Sequence, residues 1–117
     1  MTLLLNPALT DFWRELGYSI ELPEHFYYLY EQDVGLFVIE PVEAYYGIHV
    51  AIFPESRGKR ALQAGREAIR WVLQRSTRVL ARILRNQPET RFYAVSCGMK
   101  RYSEDATHIY YEAMICQ

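Results

Sequence analysis

The sequence predicts an α+β fold: a mixed, mostly antiparallel central sheet flanked by helices. Three observations carry the prediction. Residues 25–53 are filled with aromatic and β-branched runs of strand length. From Gly58 the apolar period becomes three to four residues, the signature of an amphipathic helix. Strand-like and helix-like segments then alternate to the end of the chain. With 117 residues, half of them hydrophobic and 15% aromatic, the chain suits one domain, residues 1–117, with a substantial core.

The elements follow in order. Asn6 ahead of Pro7 is a helix start, Leu9, Phe12, Trp13 and Leu16 fall at helical spacing, and Gly17 is a stop. Residues 25–31 (HFYYLYE), 34–42 (VGLFVIEPV) and 45–53 (YYGIHVAIF) read as strands. The breaks at Asp33-Val34-Gly35 and from Pro41 to Ala44 are short enough for hairpins, which makes an antiparallel meander. Over 58–75, Ala61/Leu62, Gly65, Ala68/Ile69 and Val72/Leu73 form one helix face, and Lys59, Gln63, Arg66, Arg70 and Gln74 the other. Gly65 costs about 1 kcal/mol against alanine in a helix interior. Its presence beside Ala61 and Ala68 therefore predicts a close approach of this helix to the strands. Residues 78–85 read as a strand, 88–97 as a short helix, and 99–104 with 107–116 as a final strand pair around Glu104-Asp105-Ala106. The predicted order is α-β-β-β-α-β-α-β-β.

Composition narrows the function classes. The chain start lacks a basic region followed by an apolar run, and no window approaches the ~20 apolar residues of a membrane span. A cytoplasmic protein with no membrane partner is the expectation. Cys97 and Cys116 are too few for a disulfide framework and read as reduced thiols. His25, His49 and His108 share no ligand spacing, so no metal is expected. The net charge is −1, but residues 57–85 hold nine Lys/Arg against Glu67 alone, while residues 1–56 hold Arg14 against nine acids. Such asymmetry suits an anionic and a cationic partner, although solvated helix and strand faces account for much charge of this kind. Nucleic acid ranks well below other partners, since the chain carries neither overall positive charge nor a recognition motif.

The most informative stretch is "IFPESRGKRALQAGREAIRWVLQR", residues 52–75. A strand that feeds a glycine-containing turn at a helix N-terminus presents unpaired N–H groups at the positive end of the helix dipole, where phosphate fits. A P-loop is excluded, because Phe53 stands where its first glycine belongs, and no GxGxxG occurs.

"VAIFPESRGKRAL" resembles the acyl-CoA-binding segment of the GCN5-related N-acetyltransferases (GNAT), in which an apolar strand, a proline, an acidic residue and an Arg/Gln-x-x-Gly-x-Gly/Ala turn open a helix. The longer "IHVAIFPESRGKRALQA" is similar to small bacteriophage-encoded GNAT-like proteins. "ARILRNQPETRFYAVSCGM" resembles the later family segment: Asn86 follows a strand, Tyr93 lies seven residues on, and Gly98-Met99 ends the short helix. Together the segments cover residues 45–99. Arg60 and Leu62 stand where family glycines are common, one extra residue separates Tyr93 from Gly98, and the N-terminal region is shorter than in most members.

The resemblance implies a GNAT-like domain that uses acetyl-CoA as acyl donor. The backbone of Val50, Ala51 and Ile52 would pair with the pantetheine arm, and the loop with its N–H groups, Arg57, Gly58, Lys59, Arg60, Ala61, Leu62 and Gln63, would receive the pyrophosphate, the Arg60 guanidinium adding charge near the phosphates. Asn86 would hold the arm; alternatively it is a strand-end or cap residue ahead of Pro88. Acyl transfer needs a deprotonated amine and a proton for the departing thiolate. His49, on the strand entering the loop, is the candidate base, because the ordinary histidine pKa near ~6.5 suits the task. A strand histidine also serves as a plain packing residue, and Glu40 or Glu43 acting through water are alternatives. Tyr93 matches the thiolate-protonating tyrosine. The implied partners are acetyl-CoA and an amine-bearing acceptor, protein or small molecule, with a homodimer left open. Against this enzyme stands a catalytically silent GNAT-fold phage protein, a virion component or host-factor binder in the host cytoplasm.

Overall fold

A computed structural model describes residues 2–4, 25–52 and 58–115. The elements are β1 (Thr2–Leu4), β2 (Tyr27–Glu31), β3 (Gly35–Val42), β4 (Tyr45–Ile52), α1 (Lys59–Leu73), β5 (Arg78–Leu84), α2 (Pro88–Ser96), β6 (Lys100–Glu104) and β7 (His108–Met114). They build a mixed α+β fold around one sheet in the order β1-β2-β3-β4-β5-β7-β6. Every neighbouring pair is antiparallel except β4 and β5, which run parallel and are connected through α1. A parallel pair needs such a crossover, whereas the β3–β4 turn takes only Glu43 and Ala44.

The helix expected between Asn6 and Gly17 lies outside the described residues. Ahead of it stands β1, a strand the sequence reading did not anticipate, paired antiparallel from Thr2 opposite Tyr30 to Leu4 opposite Tyr28. Pro41 and Val42 end β3, as the strand read over 34–42 requires, and the turn itself is only Glu43 and Ala44. Proline is tolerated there because β2 pairs only as far as Ile39, so no neighbour on that side calls for the missing N–H.

Burial follows the sequence periods. β7 buries Ile109, Tyr111 and Ala113 in strict alternation, while β3 buries Leu36 to Ile39 on both faces because it lies inside the sheet. α1 buries Ala61, Ala64, Gly65, Ala68, Ile69 and Val72, one stripe at helical spacing. That stripe and Ala94 of α2 join Phe37, Ile39, Ile48, Val79 and Ile83 in one core between the helices and the sheet.

Gly65 is used differently from expectation. A Cβ there would lie 2.5 Å from both Cys97 Sγ and Tyr93 Oη. The missing side chain makes room for the α2 segment rather than for the strands, since the helix surface at Gly65 faces that segment.

Charges separated in sequence meet in space. Arg78 pairs with Glu112 at 2.6 Å, Arg85 with Glu104 at 2.7 Å, and Arg60 with Asp33 at 3.7 Å. Part of the basic 57–85 segment is thereby matched by acids from other elements, although exposed pairs of this kind add little stability. No helix among the described residues is long and apolar enough to cross a membrane.

Candidate functional site

The site begins where the parallel pair ends. β4 and β5 pair only at Tyr46 with Val79 and Gly47 with Leu80. From Ile48 to Ile52, β4 remains paired with β3 on one side while its other edge has left β5. Two spaces open along that edge. One is a cleft of about 640 Å3 between Val50 and Ile52 of β4, Gly58, Ala61 and Leu62 at the start of α1, and Thr90, Phe92 and Tyr93 of α2. The other is a cavity of about 150 Å3 reaching inward beneath the splayed strands, with Ile48, His49, Ala81, Ile83 and Tyr93 among its walls. Val50, Thr90 and Tyr93 line both, so the spaces adjoin.

At the cleft end of α1 the helix has no side-chain cap and no acidic residue in its first turn. Its first internal bond runs from the Leu62 N–H to the Gly58 carbonyl at 3.1 Å. The N–H groups of Lys59, Arg60 and Ala61 therefore have no acceptor within the helix, and the dipole places positive potential on them. Gly58 sits at φ 104°, ψ −148°, a left-handed conformation that side chains rarely adopt. The donor set is shorter than the span read from sequence, because the N–H groups of Leu62 and Gln63 are consumed by the helix itself.

Arg60 also departs from its expected use. Its guanidinium donates to the Gln32 carbonyl at 3.0 Å and pairs with Asp33, so its charge is directed to the β2–β3 turn and not to the helix end. Lys59 remains exposed at the first turn. Arg57 lies outside the described residues, and Asn86 is exposed in the turn after β5 and lines neither space. Its neighbours Gln87 and Thr90 do line the cavity, and sequence reading missed both. Thr90 was findable, since it lies one helical turn before Tyr93 and shares its face.

The two candidate proton carriers face the same cavity. His49 is exposed on β4, with Nε2 3.8 Å from Glu40 Oε2 on β3. Tyr93 is half-buried, and its hydroxyl donates to the Ala61 carbonyl. Burial, with Cys97 beside it as a smaller cause, holds the Tyr93 phenol well above the usual tyrosine range, so it stays protonated. Burial likewise pushes up the thiol of Cys97, which is a free cysteine. Among the described residues no group of three His, Cys, Asp or Glu is placed to hold a metal ion.

No protein-family model matches the sequence, and no curated protein is significantly similar to it. Solved structures resemble it in fold. A chimera of the Vibrio cholerae spermidine N-acetyltransferase SpeG with hSSAT superposes with a TM-score of 0.71 at 11% identity, over 97% of this chain and 94% of that one. The Campylobacter jejuni N-acetyltransferase PseH, in complex with acetyl coenzyme A, gives 0.60 at 10% identity, over 92% and 78%. A GNAT-family acetyltransferase from Bacillus anthracis gives 0.63 at 16% identity, over 77% and 66%. The fold is that of the GNAT acetyltransferases.

Proposed function

We propose that this protein is an acetyl-CoA-dependent N-acyltransferase, transferring the acyl group to an amine of a protein or small molecule by direct attack in a ternary complex. One observation carries the reading: the free edge of β4 beyond Gly47 leads along a cleft to the uncapped N-terminus of α1. An extended amide-bearing arm ending in a pyrophosphate matches that sequence of groups. Strand-like pairing suits the arm against Val50, Ala51 and Ile52, and free N–H groups suit the phosphates at Lys59, Arg60 and Ala61. Acetyltransferase neighbours of the same fold, one of them holding acetyl coenzyme A, support the assignment.

In the proposed reaction the acceptor nitrogen attacks the thioester carbonyl, a C–N bond forms and the C–S bond breaks. His49 takes the proton the amine loses, and the Tyr93 hydroxyl, turning from the Ala61 carbonyl, gives one to the departing thiolate. A phenol held protonated by burial has a proton to give and cannot act as the base, and because the same burial makes it a weaker acid its proton must move in concert with C–S cleavage. Arg57 and Lys59 would add positive charge near the phosphates, and Asn86 would act only if the turn after β5 closes over the arm. The acidic residues Glu40 and Glu43 would favour a cationic acceptor. A cytoplasmic setting, with Cys97 kept reduced, belongs to the same proposal.

A second reading, a catalytically silent protein of this fold in the service of a phage, draws on one observation: the Tyr93 hydroxyl is engaged by Ala61. Thermal melting with CoA, followed by thiol release from acetyl-CoA across a panel of amines, separates the two. A raised melting temperature with transfer supports the enzyme. A raised melting temperature without transfer to any amine supports the silent scaffold, and no shift at millimolar CoA removes the cofactor site.

A further inference from the structure

The inner cavity is larger than an acetyl group requires. Its deep walls are Phe37, Ile48, Ile69, Ala81, Ala94 and Met99, every one of them buried. Protein interiors seldom keep voids larger than a water molecule, because each missing neighbour forfeits dispersion contacts. Here about 150 Å3 stays open between those buried walls and an exposed rim that includes His49, Arg82 and Gln87. Small residues make the room: Ala81 on β5 and Ala94 on α2 contribute walls where larger side chains would close the space. An apolar cavity of roughly this volume in another protein takes up benzene, a six-carbon guest.

Access runs from the proposed cofactor cleft. Val50, Thr90 and Tyr93 belong to the walls of both spaces, and the cavity continues inward from them past His49. Resting on the acyltransferase reading, we infer that this cavity is an acyl-chain pocket and that the preferred donor carries a linear acyl group of about four to six carbons rather than acetyl. The thioester would lie beside Val50 and Tyr93. The alkyl tail would then enter between β5 and the two helices, where the buried walls are apolar apart from the Cys97 thiol and the side chains of Arg82 and Gln87 stay at the exposed rim.

Calorimetric titration of the full chain with CoA and with acetyl-, butyryl-, hexanoyl- and decanoyl-CoA tests the inference. Burying two further methylenes should tighten butyryl-CoA about tenfold over acetyl-CoA. Hexanoyl-CoA should bind comparably and decanoyl-CoA more weakly, because its tail exceeds the pocket. Ala94→Leu, which fills the cavity, should cancel the butyryl advantage. The series on the unmodified protein stands by itself should that variant fail to fold. Equal affinity for all thioesters, with CoA still bound, would overturn the acyl pocket and leave the cofactor site intact. Failure of CoA itself to bind would overturn both. A flat series in which Ala94→Leu instead raises KM for an apolar amine would assign the cavity to the acceptor and reject the acyl assignment.

Discussion

The unit formed by β4, α1 and β5 is closed at one end and open at the other, and the two ends satisfy their backbone in opposite ways. At the closed end the strands pair through Tyr46 and Gly47. Tyr27 stands over Tyr46 at 6.2 Å and packs edge-on to Trp71 at 5.3 Å. The last turn of α1 finds partners for three of its carbonyls: Gln74 and Ser76 donate N–H bonds to the Arg70 and Val72 carbonyls, and the Arg75 guanidinium bonds the Trp71 carbonyl while lying 3.7 Å above its ring. At the open end the strands part, and the helix starts from a glycine at positive φ without a side-chain cap. Aromatic packing and capping are concentrated at one end, and at the other the first-turn N–H groups have no acceptor within the helix. A ligand at the open end would meet N–H groups that α1 itself leaves without an acceptor.

Substitutions at the open end should therefore alter chemistry and binding, and those at the closed end stability. The largest effect expected is on turnover. His49→Ala should slow acyl transfer by about 10²–10⁴-fold at neutral pH. Partial recovery is expected in alkaline solution, where more acceptor amine is already deprotonated. A pH–rate profile matching the parent's would exclude the base role.

Next in size, Trp71→Ala should lower unfolding stability by about 2–3 kcal/mol through lost aromatic packing, while CoA affinity of the folded protein stays the same. Chemical denaturation and calorimetry measure the two separately. A large loss of affinity would show that the ends are coupled. Smaller is the contrast within α1: Lys59→Glu should weaken CoA about tenfold by placing an anion beside the phosphate donors. Arg75→Ala should leave binding unchanged and cost roughly 0.5–1 kcal/mol of stability, the usual value of an exposed cation–π contact.

The smallest effect is a pH dependence. The folded Tyr93 phenol titrates above the ordinary tyrosine value of 10.0. Above that pH the unfolded chain loses a proton that the folded chain keeps, so stability present at neutral pH falls as the solution becomes alkaline. Tyr93→Phe should flatten the decline of Tm above about pH 10. Parallel curves for the two proteins would contradict it.

The elements that sequence reading placed well include two with strong local periods. β7 and α1 bury residues at intervals of two and of three to four, and their bounds fell within two residues of the reading. β1 was illegible because three residues carry no period and its pairing partner lies some 26 residues away. The orientation of α2 was equally hidden: Ala94 is its one buried residue among the described positions, so no apolar stripe announces its face. Contacts between distant segments were missed for a related reason. Nothing near Arg60 shows that it reaches Gln32, nothing near Gly65 shows that Tyr93 and Cys97 approach it, and polar Gln87 does not read as a cavity wall. The passage from β4 to the start of α1 was legible because a strand, a glycine and a helix start are all local features.

Amide chemical-shift mapping tests the central claim most directly, following backbone N–H resonances of the full chain as CoA is added. Shifts should concentrate at Gly58 to Ala61 and along Ile48 to Ile52, while Gln74 to Ser76 and the Tyr46–Gly47 pair stay in place. Perturbation centred on the closed end, or spread evenly along the basic face of α1, would contradict it.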